Sequence, residues 1–274
     1  MAIKNFIPEI WNAQMLENFH ESVIAAGLVN RQYEGNATSG NTVHITGVVD
    51  VKVKDYKANG RTTSADEVAD TRVDLLIDQE KNFDFFVDDI DKAQAAGSMD
   101  AYTRSASVGM AEDADKFILA TGATGAGHVL PTPTTAVSTG DGAFNVIRDL
   151  RKTFNKAHIP QTQRVLLINA EFEALLEDAS SKLMAANTAG DTQTLRSAHI
   201  GRLLNFDIYS TENLPNTDKA QALAFYQPAI AYVSQIEKTE GLRAQNKFAD
   251  RLRGLHVYGG KVILPEAVAV WTNA

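Results

Sequence analysis

The stretch that decides the fold is residues 48–89, VVDVKVKDYKANGRTTSADEVADTRVDLLIDQEKNFDFFVDD. Its outgoing run, 49–55, alternates apolar and charged residues, its return run, 71–77, begins the same way, and 83–87 repeats the alternation. A period of two is typical of a strand with one covered face and one solvated face. The segment 56–66 between the two runs is polar and rich in turn-forming residues. The pattern therefore predicts a long β-hairpin.

The predicted hairpin has too little apolar surface to bury itself. Limbs of about 15 residues at ~3.3 Å per residue would reach on the order of 50 Å, farther than the radius of a compact body of this length. An isolated two-stranded ribbon is at best marginally stable in water, so one interpretation is an arm that lies along another subunit. A hairpin folded back on its own domain fits the pattern equally well.

The composition limits the class of protein. The chain has 274 residues, is 44% hydrophobic, contains no cysteine and carries a net charge of −8. It can therefore form one or two domains with a sizeable core, without disulfides or thiolate sites. The negative charge opposes tight, sequence-independent binding of nucleic acid, which relies on Lys and Arg. No targeting segment or membrane span is evident, so we expect a cytosolic product that does not enter a membrane.

Two helices are predicted on either side of the hairpin. Residues 11–24 carry apolar side chains at i, i+4 spacing, which predicts an amphipathic helix that ends at Gly27. Residues 91–121 show a similar pattern over roughly 30 residues, which predicts a helix about 45 Å long with Gly122 as its C-terminal cap. A strand at 42–46 leads into the hairpin.

The second half of the chain alternates helices and strands after a loop-rich boundary at 125–142. The predicted elements are helices at 144–154 and 172–176, strands at 164–168, 206–209, 229–233, 254–259 and 267–271, and a polar loop at 187–192. Together with the hairpin and the long helix, these elements predict an α+β fold.

No combination of residues predicts catalysis. The six histidines lie apart, with none within helical ligand spacing of another, and there is neither a serine nucleophile elbow nor a phosphate-binding loop. The turn at 121–127, TGATGAG, resembles the glycine-rich turn of nucleotide-sugar epimerases. Its third glycine comes one residue early, and it follows a helix where that motif requires a strand. We therefore expect no enzyme, no cofactor and no metal.

Several short segments, taken in order around the long hairpin, carry a family resemblance. They are FIPEIW at 6–11, FFVDDIDKAQ at 85–94, DKFIL at 115–119, IGRLLNFDIY at 200–209 ahead of NLP at 213–215, and YGGKVILPE at 258–266. In this order they resemble the major capsid proteins of tailed double-stranded-DNA bacteriophages, and the resemblance covers nearly the whole chain.

The resemblance implies the capsid fold named for a Hong Kong phage. Its parts would be an N-terminal arm with a lead-in strand (1–47), an extended β-hairpin loop (48–88), a peripheral domain with a long spine helix (89–130), an axial domain (131–221) and C-terminal strands that complete the peripheral domain (222–274). The family assembles as hexamers and pentamers into an icosahedral shell that encloses the double-stranded DNA genome. We therefore expect a virion protein that is assembled in the host cytoplasm and encloses DNA without binding it tightly.

The resemblance also implies partners and a possible crosslink. The arm begins close to Met1, which implies a separate scaffolding protein, alongside a portal and room for a decoration protein. Some family members join a lysine of the extended loop to an asparagine of a neighbour. Lys57 is the only lysine placed for that reaction, and no motif identifies the asparagine, so we expect a non-covalent shell.

The basic residues of the arm are the candidate contact residues between subunits. They are Lys52, Lys54, Lys57, Arg61 and Arg72, which we expect to pair with acidic patches on neighbouring subunits. Two alternatives stay open on the sequence alone. One is an encapsulin-type nanocompartment that encloses cargo enzymes, and the other is a soluble α/β nucleotide-binding enzyme that uses the turn at Gly122.

Overall fold

The computed structural model describes residues 23–34, 41–48, 53–58, 60–63, 70–88, 100–177, 201–244 and 246–274. The helices are α1 (Ala25–Leu28), α2 (Asp100–Thr124), α3 (Gly140–Lys156) and α4 (Ala170–Leu176). The strands are β1 (Thr42–Val48), β2 (Asp70–Leu76), β3 (Gln79–Asp88), β4 (His128–Val129), β5 (Arg164–Ile168), β6 (Arg202–Leu203), β7 (Phe206–Ser210), β8 (Gln221–Tyr226), β9 (Ile230–Arg243), β10 (Ala249–Val262) and β11 (Val268–Thr272). The mixture of helices and sheets confirms the predicted α+β class.

The hairpin consists of β1 and β2, which pair antiparallel from Thr42↔Leu76 to Val48↔Asp70. The predicted return limb is confirmed, but the predicted outgoing limb is wrong. In the predicted run 49–55, residues 49–52 lie outside the described residues, and 53–55 do not form a strand. The outgoing limb is β1, which lies earlier in the chain and carries its own alternation of buried and exposed side chains.

Strand β3 does not extend the hairpin. It pairs antiparallel with β10, which pairs in turn with β9, so the sheet has the order β3-β10-β9. The prediction that residues 83–87 belong to the hairpin arm is therefore wrong, because they pair with β10 and not with a strand of the hairpin. The ring of Phe83 lies across Gly254 of β10, where a Cβ would come within 2.3 Å of the ring. A side chain at that position would displace the aromatic ring from the sheet.

Helix α2 is the predicted long helix. Its 25 residues correspond to a length of roughly 37 Å, and residues 91–99 of the prediction lie outside the described residues. The helix continues through Gly122 to Thr124, so the prediction that Gly122 caps it is wrong. Gly122 is instead a packing position, because a Cβ there would lie 3.0 Å from Cδ1 of Ile230. The turn at 121–127 thus begins inside a helix, which removes the basis for the nucleotide-binding interpretation.

A six-stranded sheet of order β4-β11-β8-β5-β7-β6 forms the centre of the molecule. The apolar side chains of α3 and α4 pack on one face of it, and those of α1 and α2 pack on the other. Strand β5 is buried along its whole length, as the apolar run 165–168 predicts. The helices predicted at 144–154 and 172–176 are confirmed, and the polar loop predicted at 187–192 lies outside the described residues.

The segment before the hairpin is attached to α2 by one buried carboxylate. Oδ1 of Asp115 accepts a hydrogen bond from the backbone N–H of Ala25 at 2.7 Å, and Oδ2 accepts one from Nδ2 of Asn213 at 3.3 Å. Burial raises the pKa of Asp115, although these hydrogen bonds act to lower it. Residues 11–22 of the predicted N-terminal helix lie outside the described residues. The prediction that a helix ends at Gly27 is wrong, because α1 contains that residue.

Candidate inter-subunit surface

The base of the hairpin has a hydrophobic core of its own. Four of its side chains are buried against β9 and β10. They are Val43, Ile45, Leu75 and Ile77, which pack with Ala231, Val233 and Val257. The sequence predicted an arm that buries little apolar surface, but the base of the hairpin is buried against its own subunit. We call these paired strands, β1 and β2, the arm root.

Polar contacts also join the arm root to the body. Nζ of Lys261 in β10 donates a hydrogen bond to the backbone oxygen of Asp74 at 2.9 Å. The N–H of Ile77 donates to the oxygen of Asn41 at 2.8 Å, which closes the end of the hairpin nearest the body. Because both strands are held by packing and by hydrogen bonds, the direction in which the hairpin leaves the body is determined by the fold.

Residues 53–58 and 60–63, which we call the arm tip, contrast with the root. All of them are exposed, and Val53 is 100% exposed. The tip has internal order, because Oδ1 of Asp55 accepts from the N–H of Lys57 at 2.9 Å and the N–H of Arg61 donates to the oxygen of Tyr56 at 2.9 Å. The left-handed φ of Gly60, +66°, suits a residue without a Cβ. The tip is therefore a turn that presents its side chains to solvent.

The predicted contact residues fall into two groups. Lys54, Lys57 and Arg61 lie on the exposed tip, whereas Lys52 lies outside the described residues. Arg72 lies on β2, and its Nε donates to Oδ1 of Asp74 at 2.6 Å. This contact places the Arg72 guanidinium within its own hairpin. The Arg72 hydrogen bond holds the pKa of Asp74 below its ordinary value.

Sequence reasoning missed a second charged surface, on the β3-β10-β9 sheet. Asp84 on β3 accepts hydrogen bonds from Nε and Nη2 of Arg251 on β10. Glu240 on β9 accepts from Arg253 at 2.6 Å and lies 2.5 Å from Nζ of Lys238. The alternation of charged and apolar residues in β3 and β10 is visible in the sequence, but it does not identify the partner strands.

Two cations lie over an exposed aromatic ring on the same sheet. The guanidinium of Arg251 lies 5.4 Å from the centre of the Phe86 ring, and Nζ of Lys247 lies 5.9 Å from it. Phe86 is 52% exposed in the isolated chain, and Phe248 is 83% exposed. Clustered, exposed aromatic side chains are typical of a surface that another molecule covers.

The described residues contain no cluster of three or more His, Asp or Glu side chains arranged to hold a metal ion. None of the described helices is both long and apolar enough to cross a membrane.

Comparison with known proteins connects these features. The family model described as "Phage capsid protein" matches residues 72–273. The chain belongs to this family. A structure from Mycobacterium phage Che8 is similar to this capsid protein with a TM-score of 0.88 and 50% sequence identity, over 98% of each chain. A search of curated proteins finds no match.

More distant structures share the fold of this capsid protein. The capsid structure of Cyanophage P-SCSP1u matches with a TM-score of 0.78 at 16% identity, over 100% of this chain and 95% of that one. A virus-like particle from Pyrococcus furiosus matches with a TM-score of 0.54 at 13% identity, over 85% and 86%. The chain is a structural major capsid protein that forms a shell, and neither a cargo compartment nor a soluble enzyme is favoured.

Proposed function

We propose that this capsid protein assembles as hexamers and pentamers into an icosahedral shell around double-stranded DNA, with the arm tip as a contact between neighbouring subunits. The role of the tip is supported by its exposure to solvent, which contrasts with the buried side chains of the arm root. The root packs against the body through Ile45 and Leu75, and every described residue of the tip is exposed. A rigidly held hairpin with a solvated end is suited to contact a second subunit.

The charges of the tip determine the type of contact in this proposal. Lys54, Lys57 and Arg61 present cations on a chain whose net charge is −8, so acidic surfaces of neighbouring copies are their natural partners. Lys52 and Arg72 complete the proposed set. Exposed ion pairs are individually weak, about 0–1 kcal/mol, but the same contact recurs at every subunit boundary of a closed shell.

The proposal also covers the enclosed genome and the other components of the shell. An acidic subunit encloses DNA without tight binding, since strong Lys or Arg contacts would oppose both packaging and release. Assembly takes place in the host cytoplasm with separate scaffolding and portal proteins, with room for a decoration protein. No catalytic step is assigned to the chain. The subunits associate without a covalent link at Lys57, so shells boiled in detergent should release single chains.

Shortening the arm tests the assignment of the tip. Because Val48 pairs with Asp70, residues 49–69 can be replaced by Asn-Gly, a sequence that favours a two-residue hairpin turn. We expect a folded subunit with native circular dichroism that no longer forms closed particles in negative-stain microscopy. Normal particle yield and thermal stability would overturn the role of the tip. A failure of the wild-type chain, with its scaffold, to form closed particles would overturn the shell itself.

A further inference from the structure

Helix α3 carries a strip of positive charge that the arm does not explain. Arg148, Lys152 and Lys156 follow one another at i, i+4 and i+8, so they lie on one side of the helix over about 12 Å. All three are exposed, and Arg151 lies beside them. The only described anion paired with this strip is Asp149, whose Oδ1 is 3.4 Å from Arg148. We call these four basic residues the α3 strip.

A buried cation adds to the positive charge of this region. Arg164, 1% exposed, donates to the backbone oxygens of Pro160 and Ile159 at 2.7 and 2.6 Å. Neither its Nη1 nor Nε of Arg151 makes a hydrogen bond with any described residue. Desolvation and the nearby charge of Arg151 lower the pKa of Arg164. The positive charge is therefore not neutralised within the part of the chain that the structure describes.

A complementary acidic face lies on the neighbouring helix. Helix α4 carries Glu171 and Glu173, with Glu177 as its C-cap, and it packs beside α3 on the same face of the six-stranded sheet. Glu173 accepts a hydrogen bond from the hydroxyl of Ser210. No described cation forms an ion pair with Glu171 or Glu177. The two helices thus expose opposite charges on one layer of the molecule, and among the described residues no ion pair joins the two sets of charges.

We propose that the α3 strip docks against the acidic face of α4 in a second copy of this chain. The two patches differ, so the contact is heterologous, and a heterologous contact closes into a ring when its rotation allows. This inference rests on the proposed shell and assigns a particular contact within its rings of subunits. Complementary charge also speeds association and selects the correct partner face.

A copy of this chain fits the strip better than DNA does. The acidic face is present on every subunit and therefore at the same concentration as the strip. The net charge of −8 repels a polyanion from the subunit as a whole. The strip also spans only a little over two turns of helix, which offers few simultaneous contacts to phosphates.

Charge exchange tests the docking. The double variant Arg148→Glu, Lys152→Glu should raise the subunit concentration needed for assembly about tenfold or more, because like charges then face each other. Glu171→Arg with Glu177→Arg should do the same. Combining all four substitutions restores opposite charges and should recover most of the assembly. Lys116→Glu, an exposed change on α2, which packs on the other face of the six-stranded sheet, is the matched control and should assemble like the wild type.

Three outcomes would overturn the inference. One is that either double variant assembles like the wild type. If the arm-shortened chain still fails to assemble in the same experiment, the proposed shell and the role of the arm tip stand while the docking is overturned. Another is failure of the fourfold variant to recover although its subunits show native circular dichroism. The third is normal assembly of the strip variant with reduced retention of duplex DNA, which would assign the strip to nucleic acid.

Discussion

The backbone oxygen of Leu76 lies so close to Gly259 that a Cβ at position 259 would come within 2.1 Å of it. The end of the hairpin therefore crosses directly over β10 at a residue without a side chain. Cα of Ile77 would be 2.8 Å from the same Cβ, so the close approach involves two consecutive residues of backbone. Backbone cannot rotate away as a flexible side chain can, and the crossing point determines how the hairpin leaves the body.

Substituting Gly259→Ala should displace the arm root. The added methyl group meets backbone atoms, so we expect a loss of about 1–3 kcal/mol or more in the free energy of unfolding. Urea denaturation of the isolated subunit measures this change in the free energy of unfolding. Gly241→Ala on β9 is the control, since its Cβ would only reach Leu252 at 4.0 Å. Equal stabilities for the two variants would show that the hairpin does not cross β10 in this way.

Two glycines of α2 should respond in opposite ways to alanine. A Cβ at Gly109 meets nothing within 4 Å, so Gly109→Ala should stabilise the subunit by about 0.5–1 kcal/mol through helix propensity alone. A Cβ at Gly122 would press on Ile230 at 3.0 Å and Leu223 at 3.4 Å, which should cancel that gain. The midpoint temperatures of thermal unfolding of the two variants and the wild type measure these changes in stability. A larger gain at Gly122 would contradict the packing of α2 on the six-stranded sheet.

Removing the Asp115 carboxylate should release the segment before the hairpin. Asp115→Ala leaves the N–H of Ala25 without its buried acceptor, at a cost of about 1–3 kcal/mol. We expect faster amide hydrogen exchange at Ala25 in the variant. Lys116→Ala, the next residue of the helix and an exposed one, should leave that rate unchanged. Unchanged protection in both variants would mean that Asp115 does not hold this segment.

Local periodicity predicted many of the elements but not their long-range partners. The run 165–168 is apolar throughout, and the fold buries it fully in β5 together with Arg164. The hairpin was misplaced because 49–55 and β1 both alternate, and only packing against Val257 and Val233 distinguishes them. The contact between Asp84 and Arg251 joins strands far apart in the sequence, so no local pattern could reveal it. The sequence predicted the exposed turn of the arm tip correctly, because the conformation of such a turn depends mainly on neighbouring residues.

The ion pairs of Glu240 should make part of the stability depend on pH. Hydrogen bonds from Lys238 and Arg253 lower the pKa of Glu240 from 4.5 to about 2. Since the folded-state pKa is the lower one, this contribution is complete above pH 4.5 and is lost as the pH falls from there to about 2. Glu240→Gln should therefore flatten the acid limb of the stability profile.

The same effect can be read at the residue itself. An NMR titration of Glu240 in the isolated subunit should give a pKa near 2 that rises in Lys238→Ala and in Arg253→Ala, each of which removes one donor. A wild-type pKa close to 4.5 would show that these side chains do not hold the carboxylate in solution.

Reversing the charge of the arm tip should weaken shells without unfolding subunits. Lys57 and Arg61 are exposed, and the contacts that order the tip use their backbone N–H groups, with Asp55 and Tyr56 as acceptors. Lys57→Glu with Arg61→Glu should therefore leave the turn intact while turning attraction to an acidic neighbour into repulsion. We expect particles of this variant to dissociate at lower salt than wild-type particles, since exposed ion pairs are screened by salt.

Substituting both residues with glutamine is the matched control for size and should give an intermediate salt tolerance. Light scattering across a sodium chloride series measures the midpoint of dissociation, and a gel-shift titration with duplex DNA near physiological salt tests the alternative role of the cations. Identical midpoints for the glutamate variant and the wild type would remove Lys57 and Arg61 from the contact. Submicromolar DNA binding by wild-type subunits that the glutamate variant loses would assign the tip to the genome rather than to a neighbouring subunit.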